Sequence, residues 1–420
     1  MGCAVTGLVV VLTAALSACG TGPLKKEVTL KLVAAEHGDR FGNSSKRYWD
    51  QLASRYSLKH PGVTVDVDVY AWDEVDEKVA SLVRSGNAPD VAQIGGSFAG
   101  YARGEKLYSA DEVLSTPTQA AFVPSMAQAG TVGRVQYGLP FAANTRALFY
   151  NKKLFEKAGI KKPPKTWAEL REDAAKLKDA GVKVPYALPL GTEDAEAETL
   201  NWMLSGGGGY TDDAGGYTLD SPKNTATFTW LRDELVGKGL TNPDPAGTDR
   251  KDAYDAFTRG EVGMLNGHPT LMELALENGI ESGIAPLPGK DGPTEATTGV
   301  ADWLVAFKQR AHREEVRGFL DFVYGEKNVL SFASGYDLLP VTVPASETMR
   351  DEAAHKDVWP FLDQLDTAVF YPVGKASWGP TVRELKLTAG EAVADDGSPS
   401  KVLSRIQRTA TDAEAAAGEP

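Results

Sequence analysis

Between Val28 and Ile94 the hydrophobic rhythm of the chain changes repeatedly from a period of two to a period near 3.6. Val28 to Val33 (VTLKLV) alternates and predicts a strand; Ser44 to Lys59 sets Tyr48, Leu52 and Tyr56 four apart and predicts a helix. Val63 to Val69 (VTVDVDV) alternates strictly, Asp73 to Arg84 gathers Val75, Val79, Leu82 and Val83 on one face, and Asp90 to Ile94 is a third short strand. Strands joined by helices at this spacing pair in parallel through crossovers, so the start of the chain predicts α/β architecture with a doubly wound sheet. Such a sheet receives ligands at the carboxyl ends of its strands.

The same alternation continues further on. Arg146 to Asn151, Glu261 to Asn266, Gly283 to Pro288 and Val300 to Phe307 predict strands. Thr166 with Glu169 three residues later predicts a capping box at a helix start, and Gly181 is placed to end that helix. Helices are also predicted over Glu198 to Leu204, Ala226 to Val236, Asp252 to Arg259, His312 to Tyr324, Trp359 to Leu365 and Val402 to Ala415.

The first residues have another character. Ala4 to Ala18 is an apolar run too short for a bilayer span of about 20 residues. It matches the core of an export signal, and it ends in Leu16-Ser17-Ala18-Cys19-Gly20. That ending is similar to the lipobox of bacterial lipoproteins, which implies lipidation at Cys19 and a lipid-anchored protein on the extracytoplasmic face of the cell membrane. No Lys or Arg precedes the run, and Met1 to Thr6 also fits a short myristoylation pattern that leaves Cys19 unexplained. Thr21 to Glu27 reads as a polar tether.

Composition narrows the partners. With 44 Lys and Arg against 57 Asp and Glu, the net charge of −13 argues against nucleic acid. Both cysteines, Cys3 and Cys19, lie in the leader, so the folded body has no thiol chemistry and no cysteine-bound metal. None of the five histidines pairs with another at helical spacing, and there is no GxxxxGK[ST] loop. No metal and no cofactor are expected.

Four stretches carry a family likeness. They are Tyr150 to Leu170 (YNKKLFEKAGIKKPPKTWAEL), Phe257 to His268 (FTRGEVGMLNGH), Asn87 to Ile94 (NAPDVAQI) and Leu338-Leu339-Pro340. With them the chain resembles the extracellular solute-binding proteins of ABC importers, of the large maltodextrin-binding type. It departs from the pattern at Gly263, where Ala is usual, and at His268, where many members carry a sugar-stacking Trp. The resemblance implies a two-lobed periplasmic-binding-protein fold (type II), with a hinge and a cleft-bound ligand. It implies a carbohydrate ligand, ABC permease subunits as partners, and a monomer without enzymatic activity. The expected division is signal peptide 1–18, tether 19–27, lobe one 28–140 plus 290–342, and lobe two 141–289 plus 343–420. Chain crossings are expected near Gly138 to Thr145, Gly289 to Thr298 and Val341 to Pro344.

A sugar site wants planar polar side chains and aromatic plates. The strand ends supply Glu36, Asp39, Arg40 and Asn43; Trp72 and Asp73; Gln93; and Gly96 in the loop Gly95-Gly96-Ser97. Asn144 and Arg146 stand near the first crossing, Asn266 and His268 after a buried strand, Asp302 and Trp303 on an inner strand, and Tyr336 and Trp378 in later loops. Each also has a plainer reading: Glu36 to Asn43 as a solvated loop, Trp303 as core, Arg40 and Arg146 as partners of Glu36 and Asp302. Trp167 and Trp230 read as structural. Two alternatives differ in chemistry: a charged solute such as a sugar phosphate or polyamine, and a secreted hydrolase built on Ser97 (GGSFA, one residue short of GxSxG) with Asp302 and His312.

Overall fold

The computed structural model describes residue 2 and residues 27–38 and 43–418. The expectations for the signal peptide, Cys19, Asp39 and Arg40 lie outside the described residues, as does the side chain of Asp73.

Two sheets organise the chain. Its strands are β1 (Val28–Ala35), β2 (Val63–Tyr70), β3 (Val91–Ile94), a small hairpin β4 (Thr131–Val132) and β5 (Val135–Gln136), β6 (Leu139–Thr145), β7 (Ala147–Asn151), β8 (Val184–Ala187), β9 (Val262–Gly267), β10 (Ser282–Ala285), β11 (Thr298–Ala306) and β12 (Val369–Phe370). The first sheet has the order β12-β11-β3-β1-β2, with β6 also on β11. β1 runs parallel to β2 from Val28↔Val63 to Ala35↔Tyr70, and parallel to β3. The helices Ser45–Lys59 and Trp72–Arg84 make these crossovers, as the alternating rhythm predicts. β11 enters antiparallel to both β3 and β6, so the sheet is mixed. The second sheet, β10-β7-β9-β8, pairs β8 with β9 in parallel.

Each sheet has its own aromatic core. In the first lobe Trp49 stacks on Phe141 at 5.0 Å, and Phe332 lies 4.5 Å from Phe141. In the second lobe Trp167 stacks on Trp230 at 4.8 Å beside Trp202; of the two tryptophans read as structural, Trp167 is core and Trp230 packs against it, partly buried. The helix Trp167–Asp179 begins on the predicted box: Thr166 Oγ1 accepts from the Glu169 amide at 3.2 Å, and Glu169 accepts from the Thr166 amide at 3.2 Å.

The chain passes between the sheets three times. β6 belongs wholly to the first sheet and β7 to the second, so the first crossing is at Arg146. This moves the expected boundary from 140 to 145. The return lies between Ala285 and Thr298. The third expected crossing, Val341 to Pro344, is corrected. Val369 pairs with Thr298 on the first sheet, so the segment after 343 stays with lobe one until Phe370. Only then do the helices Trp378–Thr388 and Pro399–Ala417 pack on the second lobe. A strand of two residues has no periodicity to detect, which is why this switch escaped prediction.

Candidate functional site

On the first lobe the ends of β1, β2 and β3 build one wall. The Ala35 amide donates to Gln93 Oε1 at 3.2 Å. That bond orients the Gln93 amide so that its Nε2 donates to His37 Nε2 at 2.8 Å. His37 Nε2 is therefore a lone pair, and the ring proton sits on Nδ1. The His37 ring stands edge-on to Trp72 at 5.2 Å and to Phe332 at 5.1 Å. Burial lowers its pKa to about 4, against a smaller opposing pull from Glu36. Asp302 Oδ2 lies 3.5 Å from the same nitrogen, and burial, with the Asp76 charge adding, pushes the Asp302 carboxyl up to about 8. At neutral pH the two groups are an uncharged acid beside an uncharged imidazole.

Asp76, one turn after Trp72 on the same helix face, accepts from the Gly95 amide at 3.0 Å and Ser97 Oγ at 3.2 Å. This pins the loop after β3. Glu36 is spent differently. It accepts from the amides of Ser45 (2.7 Å) and Gly38 (2.8 Å) and from Ser44 Oγ (3.2 Å), tying its loop to the start of the helix Ser45–Lys59. Burial alone raises its pKa; those hydrogen bonds more than offset this and hold it below the usual range. Asn43 lies beside Gly38 in that loop. Gly96 has φ +135°, and a Cβ there would come 2.7 Å from Val373 Cγ1.

The opposite wall comes from the second lobe and the crossings. Arg146 is buried; its Nη1 donates to Asn144 Oδ1 at 2.8 Å and its Nη2 to Asp194 Oδ2 at 2.7 Å. Asp194 also meets Arg250 Nε at 3.4 Å, and Arg250 pairs with Glu193 and lies over the Tyr254 ring. Arg250 Nη1 donates to His268 Nε2 at 3.3 Å. Burial, then the charges of Arg146 and Arg250, hold His268 well below its usual pKa. Lys386 bonds Glu196 at 3.0 Å and is near enough to Asp76 of the other lobe to oppose the rise in its pKa. Burial, then the Asp194 charge, pushes Glu196 up to about 7. Tyr371 stacks on Trp378 at 5.4 Å, and Tyr210 completes the cluster 5.5 Å from Trp378.

The structure sorts the predicted residues. Trp72, Asp302, Asn144 and His268 are partly exposed, whereas Gly96 and Arg146 are buried. Gln93 is fully buried and acts by orienting His37. Asn266 is consumed by Glu198, whose Oε1 also accepts from Trp202 Nε1 at 2.8 Å inside the second lobe. Tyr336 backs His37 at 5.6 Å, and Trp378 backs Tyr371 with 4% exposure. Trp303 is corrected to core: it is 1% exposed, 5.5 Å from Phe98, because side chains alternate along β11 and Trp303 takes the closed face, opposite Asp302. Arg146 pairs with Asp194, not Asp302. The Ser97 constellation is not assembled. His312 Nδ1 bonds Asp90 at 2.9 Å before the start of β3, whereas Ser97 lies beyond its other end. Among the described residues no group of His, Cys, Asp or Glu is placed to hold a metal.

Several participants were missed. His37 had a signal, directly after a strand end; Asp76 had another, four residues after Trp72. Asp194 caps a helix, Glu196, Arg250 and Lys386 lie on helices, and Tyr371 lies at the third crossing, where spacing carries no trace of the opposing wall.

The family model for bacterial extracellular solute-binding proteins matches residues 42–329. The chain belongs to this family. A binding protein of Brucella abortus (strain 2308) is 29% identical over 354 residues, covering 82% of this chain and 83% of the relative. The sn-glycerol-3-phosphate-binding periplasmic protein of Escherichia coli (strain K12) is 25% identical over 335 residues, 73% of this chain and 74% of its own length. The crystal structure of the cyclic α-maltosyl-1,6-maltose binding protein from Arthrobacter globiformis superposes with a TM-score of 0.76 at 18% identity, over 92% of this chain and 98% of that one. The fold of this solute-binding protein is thus the two-lobed type II arrangement, and its family works outside the cytoplasm.

Proposed function

We propose that this protein is the lipid-anchored, monomeric capture subunit of an ABC importer for a neutral carbohydrate, held between the lobes and passed unaltered to the permease. One observation supports the neutral class above others. The cations of the described walls are already matched: Arg146 with Asp194, Arg250 with Glu193 and Asp194, Lys386 with Glu196. A phosphate would have to displace a carboxylate from one of them. Neutral hydroxyls need no such exchange; they can bond Asp302, Asn144 and the carboxylate rims, while Trp72 and Tyr371 offer faces to the C–H side of a sugar ring. The Arthrobacter neighbour, named for a cyclic oligosaccharide, agrees with this reading; the E. coli relative, named for a sugar phosphate, keeps the charged solute as the rival.

Capture works by population shift. A ligand touching both walls binds the closed arrangement better than the open one, and closure follows from that difference alone. Calorimetry of the mature domain against glucose, maltose, mannobiose, sn-glycerol 3-phosphate and spermidine tests the assignment. Heat from a neutral sugar alone is expected. Heat from the phosphate or the polyamine alone reassigns the substrate class.

A further inference from the structure

We infer that Tyr371 and Glu196 act together as the residues that select the sugar, by sharing one of its hydroxyl groups. This rests on the carbohydrate reading above and assigns two residues that no motif or spacing singles out.

The argument starts from two buried atoms. The Tyr371 hydroxyl and Glu196 Oε2 are both shut off from solvent and have no hydrogen-bond partner. Buried polar atoms are almost always paired, so two orphans in one place call for an explanation. They belong to one cluster, linked through Tyr210. The Tyr210 hydroxyl donates to the Glu196 carbonyl at 2.6 Å, and the Tyr210 ring lies 6.4 Å from the Tyr371 ring. After burial, the Glu196 charge is the strongest influence holding the Tyr371 phenol protonated. Yet no hydrogen bond joins them, so a gap separates a donor from an acceptor. A sugar hydroxyl has the chemistry to bridge it, accepting from the Tyr371 O–H and donating to Glu196 Oε2.

The surroundings fit that guest. Tyr371 is fixed by its stack on Trp378, and Glu196 by Lys386 through its other oxygen, so neither needs to be ordered on binding. Asp194 stands near both, which makes the spot hostile to a phosphate oxygen. A site built to hydrogen-bond a hydroxyl discriminates strongly, because a ligand lacking that group leaves both protein atoms unpaired.

The test uses the mature protein titrated with glucose, maltose and mannobiose, and with sn-glycerol 3-phosphate. Tyr371→Phe and Glu196→Gln are each expected to weaken the bound sugar more than about fivefold, with the melting temperature of the ligand-free protein unchanged or higher for Tyr371→Phe. The double variant is expected to lose less than the sum, since the two residues share one group. Losses under fivefold, or strictly additive ones, with wild-type sugar binding intact overturn the pair and leave the carbohydrate reading standing. A wild-type protein that binds none of the three sugars, whether or not it binds the phosphate, overturns the carbohydrate reading itself and the pair with it.

Discussion

Arg146 and Thr297 exchange two hydrogen bonds across the first two chain crossings. The Arg146 amide donates to Thr297 Oγ1 at 3.3 Å, and that hydroxyl donates back to the Arg146 carbonyl at 2.8 Å. The Arg146 guanidinium meanwhile holds Asp194 of the second lobe. The backbone and the side chain of one residue thus fasten three segments. Arg146→Met keeps the length and removes the charge, leaving Asp194 with only its longer contact to Arg250. A loss of about 3 kcal/mol is expected, in the range for breaking a buried ion pair, and urea denaturation reads it.

The pair formed by Asp302 and His37 predicts a pH dependence. Unfolded Asp302 ionises near its usual 3.8, whereas the folded group keeps its proton up to about 8. Its contribution to stability is complete below 3.8 and is lost as pH rises through that window. His37, lowered to about 4 from 6.5, acts at the other end and costs stability as pH falls through its own window. Asp302→Asn removes the first effect. Thermal melts are expected to show a larger gain at pH 8 than at pH 4.5, with the acid limb unchanged.

Trp72 offers a half-buried ring beside His37 and within 3.9 Å of where a Gly95 Cβ would stand. Trp72→Ala is expected to weaken sugar affinity more than tenfold, about 1.4 kcal/mol or more. The ligand-free melting temperature should change little. Unchanged affinity in calorimetry removes Trp72 from the ligand contacts.

Gly96→Ala places a methyl group against Val373, which lies beyond β12. The expected result is weaker ligand binding and a larger radius of gyration by small-angle scattering in saturating sugar, because the lobes are propped apart. Val373→Ala in the same chain makes room for the methyl and should recover part of the affinity. Failure of that rescue would trace the defect to the positive φ at residue 96 alone.

Cys19→Ser tests the anchor. Fractionated cells should show the wild-type protein in the membrane pellet and the variant in the soluble fraction. Retention of the variant in the pellet refutes the lipobox assignment.

What could be read in advance follows from the range of the interactions. The alternation in VTVDVDV and the Thr166–Glu169 box are local, and both elements form where expected. Glu36 and Gln93 were correctly placed at strand ends, yet their polar atoms turn toward their own lobe, to Ser45 and to Ala35 with His37. Spacing along a strand fixes which end a residue occupies but not which partner takes its hydrogen bonds. Trp303 shows the same limit: alternation puts it on the face opposite Asp302, but does not say which of the two faces the fold closes. Lys386 and Asp194 are separated by most of the second lobe's sequence, so only the folded chain brings them to one wall.

Tyr371 directly follows β12, at the third passage between the lobes. Under the proposal above, the side chain that meets the solute is mounted on the segment that joins the lobes. Recognition and movement would then share one lever. A substitution at this residue is then expected to alter the rate of ligand release together with the choice of ligand.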